Sequence, residues 1–461
     1  MRSQLVQSTT GLRQLLRSTS VASYLWEESL KSWRTGPAAN QRQDSSNLSQ
    51  SPSLMGGWSL LGDRSDNSNR FRSKSKSMGD LGERRLYSIQ AASKEGLEAT
   101  GDIHVKIEVP YQLHMLEDGP AQEIRTSKEE SMEMYRNMMT IRRFEILADM
   151  LFKSQFVRGF CHLCDGQEAV SVGMEAALTY EDAILTAYRD HGNYLVRGGT
   201  IFEAFSELMG KKTGAAIGKG GSMHLYKKEN NFYGGWGIVG TSGSLGTGVG
   251  FALKYLKKQN VSVAVYGDGA ANQGQLFEAQ NLAALWNLPV IYLVENNHYG
   301  MGTAEWRASK KTTFYDRLSY IPGIKMDGMD VFAVKSAFLY AKAHCLDGKG
   351  PIVLEADTYR YHGHSMSDPG RSYRDRSEIQ GVRKARDPIE HLKTIILQEG
   401  LCSAEELKSI DKEIRRRVEE AGEKAKEAPY PDEPELFSNI YKKDTGLVTY
   451  GCDRNKKVQL P

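Results

Sequence analysis

Two short apolar runs, with a helical pattern between them, predict a strand–helix–strand unit in the middle of the chain. Apolar and β-branched residues fill positions 261–266 and 288–294, which predicts two strands. Between these runs, apolar residues recur at helical spacing over positions 275–286. A unit of this length has two parallel strands and a right-handed crossover. The carboxyl ends of both strands therefore meet at one edge of the sheet, where open α/β folds bind ligands.

Both strand ends carry residues suited to a phosphate and a metal ion. Gly267-Asp268-Gly269 follows the first run, and Glu295-Asn296-Asn297 follows the second. Glycines before a helix N-terminus suit a phosphate held by backbone N–H groups, but the carboxylate of Asp268 would repel it. A hard cation, Mg2+ or Ca2+, resolves this conflict if Asp268, the amide oxygen of Asn297 and phosphate oxygens all bind it. An ordinary turn and loop would explain either string alone, but two strings at matching strand ends indicate a diphosphate bound through a metal ion.

The remaining patterns predict an α/β fold, in which helices flank a largely parallel sheet and extend it at both the N- and C-terminal ends. A helix is expected over Ser127–Phe152, because Thr126 or Ser127 can cap it and a methionine-rich stripe can bury one face. The later elements are expected as a strand over 353–359, a polar loop over 360–376, and charged helices over about 386–399 and 403–427.

The first 87 residues differ from the rest in composition and charge. They hold 13 Lys and Arg against 7 Asp and Glu, which leaves 47 against 50 for the remainder. The segment before Glu27 has arginines, many Ser, Thr and Gln, and no acidic residue, which is typical of a mitochondrial or plastid transit peptide. The near-neutral body has no basic face that indicates nucleic acid, and no run of 18 apolar residues predicts a membrane span.

These shifts in composition give four expected regions. Residues 1–87 are a transit peptide and disordered leader, and 88–125 an N-terminal arm. Residues 126–380 form the ligand-binding α/β domain, including the loop 360–376, and 381–461 form a helical C-terminal segment. Arg85-Leu-Tyr-Ser88 resembles a mitochondrial processing signal, so we expect a mature N-terminus near Ser88 in the mitochondrial matrix.

The five cysteines are few and odd in number, which favours a reducing compartment over a disulfide framework. Cys161 and Cys164 could form a redox or metal pair. No second Cys or His pair at zinc-type spacing accompanies them, so two buried free thiols are expected.

Many strings across residues 125–440 carry a resemblance to a known family. They are Arg158-Gly-Phe-Cys-His-Leu163, Asp165-Gly-Gln-Glu-Ala169, Tyr188-Arg-Asp-His191, Gly218-Lys-Gly-Gly-Ser-Met-His224, Asn231-Phe-Tyr-Gly-Gly235, Gly267-Asp-Gly-Ala-Ala-Asn-Gln-Gly-Gln275, Glu295-Asn-Asn297, Tyr299-Gly-Met-Gly302 and Tyr359-Arg-Tyr-His-Gly-His-Ser-Met-Ser-Asp-Pro-Gly370. In this order they resemble the pyruvate dehydrogenase alpha subunits, of the thiamine-diphosphate-dependent 2-oxo acid dehydrogenases. The resemblance implies the thiamine-diphosphate-binding fold.

The resemblance also implies a role for individual residues. Mg2+ would be bound by Asp268, Asn297 and the carbonyl of Tyr299. The other implied contacts with thiamine diphosphate are made by Tyr188, Arg189, Gly237, Val239, Gly269, Ala270, Arg360 and His364. Among these, the Gly237 and Val239 carbonyls would face the aminopyrimidine ring, and Gly269 and Ala270 would meet the diphosphate through their N–H groups. His364 would close over the cofactor, and His162 would lie toward pyruvate.

The activity implied by the resemblance is decarboxylation of pyruvate, with the cofactor as the electron sink, followed by transfer of the two-carbon fragment to lipoyl groups of a transacetylase. The implied partner is a beta subunit in an α2β2 heterotetramer, because the beta subunit supplies the carboxylate that activates the aminopyrimidine. Acetoin or branched-chain 2-oxo acid dehydrogenase, and a non-catalytic assembly or regulatory paralogue, are the alternative functions. A dinucleotide site is disfavoured because no G-x-G-x-x-G string follows a strand, and an ATP site because Gly218-Lys219 is followed by Gly220 and not by the Ser or Thr of a P-loop.

The chain departs from the family's usual strings at several positions. Residues 241–244 read Thr-Ser-Gly-Ser, without the usual Gln and Pro, which puts the pyrimidine side and therefore turnover in question. Cys164 replaces a Tyr, and Trp236 replaces a smaller polar residue. Ala304 stands where animal relatives have a phosphorylatable Ser, but Ser365 and Ser372 remain in the polar loop as candidate sites for a regulatory kinase and phosphatase.

Overall fold

A computed structural model describes residues 103–370 and 372–439, together with the backbone of 448–450 and 457–459. The predicted transit peptide, the leader and the processing signal at Ser88 lie outside these described residues. None of the helices in the described ranges is long and apolar enough to cross a membrane.

The centre of the fold is a seven-stranded sheet. The strands of the described chain are β1 Ile103–Lys106, β2 Gln112–His114, β3 Glu123–Thr126, β4 Ala183–Ala187, β5 Phe232–Trp236, β6 Ser262–Gly267, β7 Val290–Asn296, β8 Gly323–Asp327, β9 Ile352–Asp357, β10 Val448–Tyr450 and β11 Lys457–Gln459. The order in the central sheet is β2-β8-β9-β7-β6-β4-β5. All neighbouring strands of this sheet are parallel except β2, which pairs antiparallel with β8 at one edge. The predicted α/β class with a largely parallel sheet is therefore confirmed.

Helices lie against this sheet and extend it at both ends. They are α1 Lys128–Lys153, α2 Glu168–Glu175, α3 His191–Val196, α4 Ile201–Leu208, α5 Thr241–Tyr255, α6 Gly274–Leu285, α7 Glu305–Ala308, α8 Val331–Leu346, α9 Arg376–Arg386, α10 Pro388–Gln398 and α11 Ala404–Glu427. Helix α1 begins as predicted, because the side chain of Ser127 accepts a hydrogen bond from the N–H of Glu130.

The predicted strand–helix–strand unit is β6, α6 and β7. The two strands pair in parallel, and Gly267 lies opposite Glu295 at their carboxyl ends. Every residue of β7 is buried, as expected for a strand covered on both faces. Helix α5 packs closely on β6 at Gly246. A Cβ added there would lie only 2.7 Å from the Cβ of Ala264, so the close approach requires glycine.

Three parts of the chain differ from the sequence prediction. The N-terminal arm contains β1, β2 and β3, which are too short and mixed in pattern to be recognised as strands. Helix α9 was missed, because Ile379 and Val382 are its only large apolar residues, and it crosses the boundary expected at 380–381. The C-terminal segment is not helical throughout, because β10 and β11 form an antiparallel pair after α11.

Candidate active site

The carboxyl ends of three neighbouring strands bring the predicted residues to one edge of the sheet. Tyr188 and Arg189 follow β4, Asp268 follows β6, and Asn297 follows β7. Asp268 and Asn297 are only 5% and 6% exposed. Burial raises the pKa of Asp268, although the charge of Arg360 opposes this shift. The predicted juxtaposition of a carboxylate and an amide at paired strand ends is confirmed.

One arginine joins two of the three oxygens that were expected to bind metal. Nη1 of Arg360 donates to Oδ1 of Asn297 at 2.9 Å and to the carbonyl oxygen of Tyr299 at 3.0 Å. Nδ2 of Asn297 donates to Oε1 of Gln167 at 3.3 Å, which turns Oδ1 toward the arginine. A single cationic group can thus reach both oxygens. The described part of the chain has no cluster of three or more His, Cys, Asp and Glu suited to a metal, so a cation here would need amide, carbonyl and ligand oxygens besides Asp268.

Arginine side chains at this site lie close enough for their charges to repel one another. Arg360 is 1% exposed, and burial together with the charges of Arg189 and Arg374 lowers its pKa to about 10. Its Nη2 is buried and has no hydrogen-bond partner among the described residues. Nη2 of Arg189 donates to the carbonyl of His364 at 2.8 Å. A buried guanidinium with an unused donor fits an anion with several oxygens, such as a diphosphate, so the residues present fit the expected cofactor.

Three aromatic rings from separate parts of the sequence meet at this site. The ring of Tyr188 lies 4.5 Å from that of His162 and 5.5 Å from that of His364, and the two imidazoles are 5.6 Å apart. Burial and the charge of Arg189 lower the pKa of His162 to about 2 and that of His364 to about 3, so both rings are neutral. Nδ1 of each ring is buried and finds no partner in the part of the chain that the structure describes.

The polar loop after β9 covers this edge of the sheet. Asp368 holds its turn by accepting from the N–H of His364 at 2.7 Å and from that of Gly370 at 3.0 Å. The N–H of Met366 donates to the carbonyl of Cys161 at 2.9 Å, which ties the loop to the body. Ser365 is 4% exposed, whereas Ser372 lies on the surface. The loop is therefore closed over the side chains that would hold the diphosphate.

The pyrimidine side contains a residue that the sequence analysis missed. Nε2 of Gln273 donates to the carbonyl of Val239 at 2.7 Å. A Cβ atom added to Gly269, before the short turn that starts at Ala270, would meet no described atom within 4 Å, so the Gly269 backbone is accessible to a ligand. Gly237 lies next to the imidazole of His224. Gln273 lies shortly after the Gly-Asp-Gly string, which was the only signal that could have identified it.

The altered segment 241–244 forms the first turn of α5. Ser242 donates its hydroxyl to the carbonyl of Val265 at 2.8 Å, and Gly240 precedes the helix with φ of 86°. Trp236 ends β5, and Cys161 and Cys164 are buried and free, as predicted for the two thiols. The unusual residues thus form a regular first turn of α5, directly after Gly240.

Comparison with known proteins gives a consistent result. The family described as "Dehydrogenase E1 component" matches residues 136–434. The chain is 56% identical over 375 residues to the pyruvate dehydrogenase E1 component subunit alpha, mitochondrial, of Solanum tuberosum, covering 81% of this chain and 95% of the relative. It is 56% identical over 363 residues to the alpha-1 subunit of Arabidopsis thaliana, covering 78% and 93%. The human somatic form is 52% identical over 342 residues, covering 74% and 87%.

Proposed function

Because this chain belongs to the dehydrogenase E1 component family, we propose that it is the alpha subunit of a mitochondrial pyruvate dehydrogenase. It decarboxylates pyruvate with thiamine diphosphate and Mg2+, and the acetyl group passes to lipoyl groups of a transacetylase for formation of acetyl-CoA. The mature chain, processed near Ser88, acts in the mitochondrial matrix. An intact mass of the mitochondrial protein that places its N-terminus elsewhere would contradict the processing step.

The observation that carries this proposal is that a buried carboxylate, a buried amide and buried arginines meet at one sheet edge. Asp268, Asn297 and the Tyr299 carbonyl would hold Mg2+. The diphosphate would be held by Tyr188, Arg189, Arg360 and His364, and by the N–H groups of Gly269 and Ala270. Oδ1 of Asn297 and the Tyr299 carbonyl already accept from the same donor in Arg360, which supports the proposal that one cation can reach both oxygens.

The residues of this chain bind, orient and enclose the reactants. Thiamine diphosphate, when bound, supplies the carbon nucleophile and the electron sink for decarboxylation of a 2-oxo acid. The Val239 carbonyl orients the aminopyrimidine ring, and the closed loop excludes water from the reacting groups. His162 faces pyruvate as a neutral imidazole, so it can donate a hydrogen bond to the oxygen on which negative charge develops.

The partner is a beta subunit, in an α2β2 heterotetramer that completes the active site. On α5 and just after α6, the rings of Phe251, Tyr255 and Trp286 form an exposed aromatic cluster, with Phe251 lying 6.2 Å from Tyr255 and 5.7 Å from Trp286. A contiguous exposed apolar patch is typical of a protein interface. It supports assembly with another subunit, and the chain alone is expected to be inactive.

Regulation by a kinase and a phosphatase acts on Ser365, with Ser372 as a second site. A phosphate on Ser365 adds nearly two negative charges next to His364 and the cofactor's diphosphate. Because Ser365 is buried and bonded to Ser367 at 2.9 Å, the added phosphate cannot fit the closed loop. Modification therefore opens the loop and inactivates the enzyme.

The function is tested by co-expressing the chain with a mitochondrial beta subunit and measuring CO2 release. Release is expected with pyruvate, and only with thiamine diphosphate and Mg2+ present. Acetoin and branched-chain 2-oxo acids serve as comparison substrates, and faster turnover of either would contradict the pyruvate assignment. A tetramer that forms and binds the cofactor without turnover would instead indicate a non-catalytic paralogue.

A further inference from the structure

Three buried polar side chains form a hydrogen-bonded chain that none of the roles above uses. Nδ1 of His191 lies 3.0 Å from each carboxylate oxygen of Glu145, and its Nε2 lies 2.7 Å from the hydroxyl of Ser222. Glu145, His191 and Ser222 are each at most 2% exposed. Burial opposes protonation, but the Glu145 carboxylate outweighs it and raises the pKa of His191, which favours the ring that donates to both neighbours.

The two ends of this hydrogen-bonded set of side chains bind backbone amides at and after His162. The hydroxyl of Ser222 accepts a hydrogen bond from the N–H of His162 at 3.2 Å. The carboxylate of Glu145 accepts one from the N–H of Cys164 at 3.0 Å, and another from its thiol at the same distance. The segment His162–Cys164 is thus fixed at two amides by one connected set of side chains.

The other contacts of this segment lead to the cofactor side. The Leu163 carbonyl accepts from Nη1 of Arg189, and the Cys161 carbonyl accepts from the N–H of Met366 in the loop. The backbone of His162 is therefore held on one side by the three buried side chains and on the other by Arg189 and the loop. A buried ionic chain is seldom more stabilising than an apolar trio of the same volume, but its directional bonds define one geometry.

We propose that Glu145, His191 and Ser222 are positioning residues that aim His162 at the substrate. They do not touch the reactants, and they act through the amides of His162 and Cys164. The inference rests on the proposed function in one respect only, which is the role of His162 toward pyruvate.

The kinetic test is a double-mutant cycle in the α2β2 enzyme. Ser222→Ala is expected to lower kcat for pyruvate about tenfold, with little change in KM, because a misplaced catalytic group costs rate more than binding. In a His162→Ala background the same substitution should change kcat less than about twofold, because its effect passes through His162. Equal effects in both backgrounds would overturn the proposal.

Two further variants separate positioning from general loss of stability. His191→Asn keeps a donor for Glu145 but loses the contact with Ser222, so it should reproduce the kinetic effect of Ser222→Ala. Ser262→Ala is the matched control, because Ser262 is equally buried and bonds the Gly246 carbonyl at 2.8 Å, away from His162. The control is expected to change kcat less than about twofold, because its partner is not shared with His162.

A second measurement needs neither cofactor nor turnover. Hydrogen–deuterium exchange of the peptide spanning 160–166 should become about tenfold faster in Ser222→Ala, because the His162 amide loses its acceptor. It should stay unchanged in Ser262→Ala. Unchanged exchange in Ser222→Ala would refute the positioning chain, even if the enzyme turns over pyruvate. Faster exchange in Ser222→Ala, together with an unaltered α2β2 enzyme that fails to decarboxylate pyruvate, would refute the proposed function and leave the positioning role of the three side chains supported.

Discussion

Replacing Arg360 should strengthen the binding of a divalent ion alone and weaken the binding of thiamine diphosphate. In the structure, Nη1 of Arg360 donates to Asn297 and to the Tyr299 carbonyl, at 2.9 and 3.0 Å. A divalent ion that binds alone must break both bonds. A hydrogen bond from a charged donor contributes about 1.5 to 3 kcal/mol, so displacement costs on the order of 3 kcal/mol, or roughly a hundredfold in affinity.

The variant Arg360→Gln is therefore expected to bind a divalent ion alone about 10 to 100 times more tightly than the unaltered protein. Its affinity for thiamine diphosphate in the presence of the metal should fall, because the buried guanidinium is a proposed partner of the diphosphate. Mn2+ is a suitable probe, since its binding to the α2β2 assembly can be followed by electron paramagnetic resonance without any cofactor.

Arg374→Gln is the matched control. Arg374 donates to the backbone carbonyls of Arg360 and His362, whereas the two proposed metal-binding oxygens accept from Arg360. It should loosen the loop and weaken cofactor binding without tightening Mn2+ binding. If Arg360→Gln left the affinity for Mn2+ alone unchanged or reduced it, then the guanidinium does not occupy the position of the metal.

Three further predictions concern the metal, the loop and the packing. Asp268→Asn should weaken Mg2+-dependent thiamine diphosphate binding at least about a hundredfold, because mutating even an outer-shell partner of a metal lowers its affinity roughly 10- to 100-fold. Equal affinity of the two proteins in a tryptophan fluorescence titration would contradict a metal ligand at this position. Ser365→Asp should abolish pyruvate turnover in the assembled tetramer, whereas Asp at the exposed Ser372 should reduce it less; full activity of the first variant would refute the switch. Gly173→Ala should lower the free energy of unfolding by about 1 to 3 kcal/mol, because the new Cβ would lie 2.6 Å from the Val331 carbonyl. The control Gly381→Ala, in open space on α9, should raise it by roughly 0.5 to 1 kcal/mol, and similar melting temperatures for the two variants would contradict the packing argument.

The sequence predicted the positions of those site residues that directly follow the strands. Hydrophobic runs located β6 and β7, and parallel pairing then required Asp268 and Asn297 to meet at one edge. The contact of Arg360 with both proposed metal-binding oxygens could not be predicted, because it depends on the path of a loop whose polar pattern defines no regular element. The same holds for the meeting of His162 with His364.

The buried chain around His191 was missed for a different reason. Glu145, His191 and Ser222 lie on separate elements, and each alone is an ordinary polar residue with no spacing that links it to the others. Helix α9 was missed because its apolar face is narrow, and it packs mainly through Ile379 and Val382 against the tyrosines near the loop. Periodicity identifies an element only when its buried face is wide enough to repeat.

The closed position of the loop has a consequence for any enzyme that modifies it. The hydroxyl of Ser365 is covered while Arg189 holds the His364 carbonyl and Cys161 holds the amide of Met366. Chemical attachment at that hydroxyl is then limited by the small population of open molecules, whatever the catalyst's own speed. A coenzyme that stabilises the closed form reduces the open population further. Abundant thiamine diphosphate would therefore slow modification of Ser365, and molecules without bound coenzyme would be modified and inactivated first.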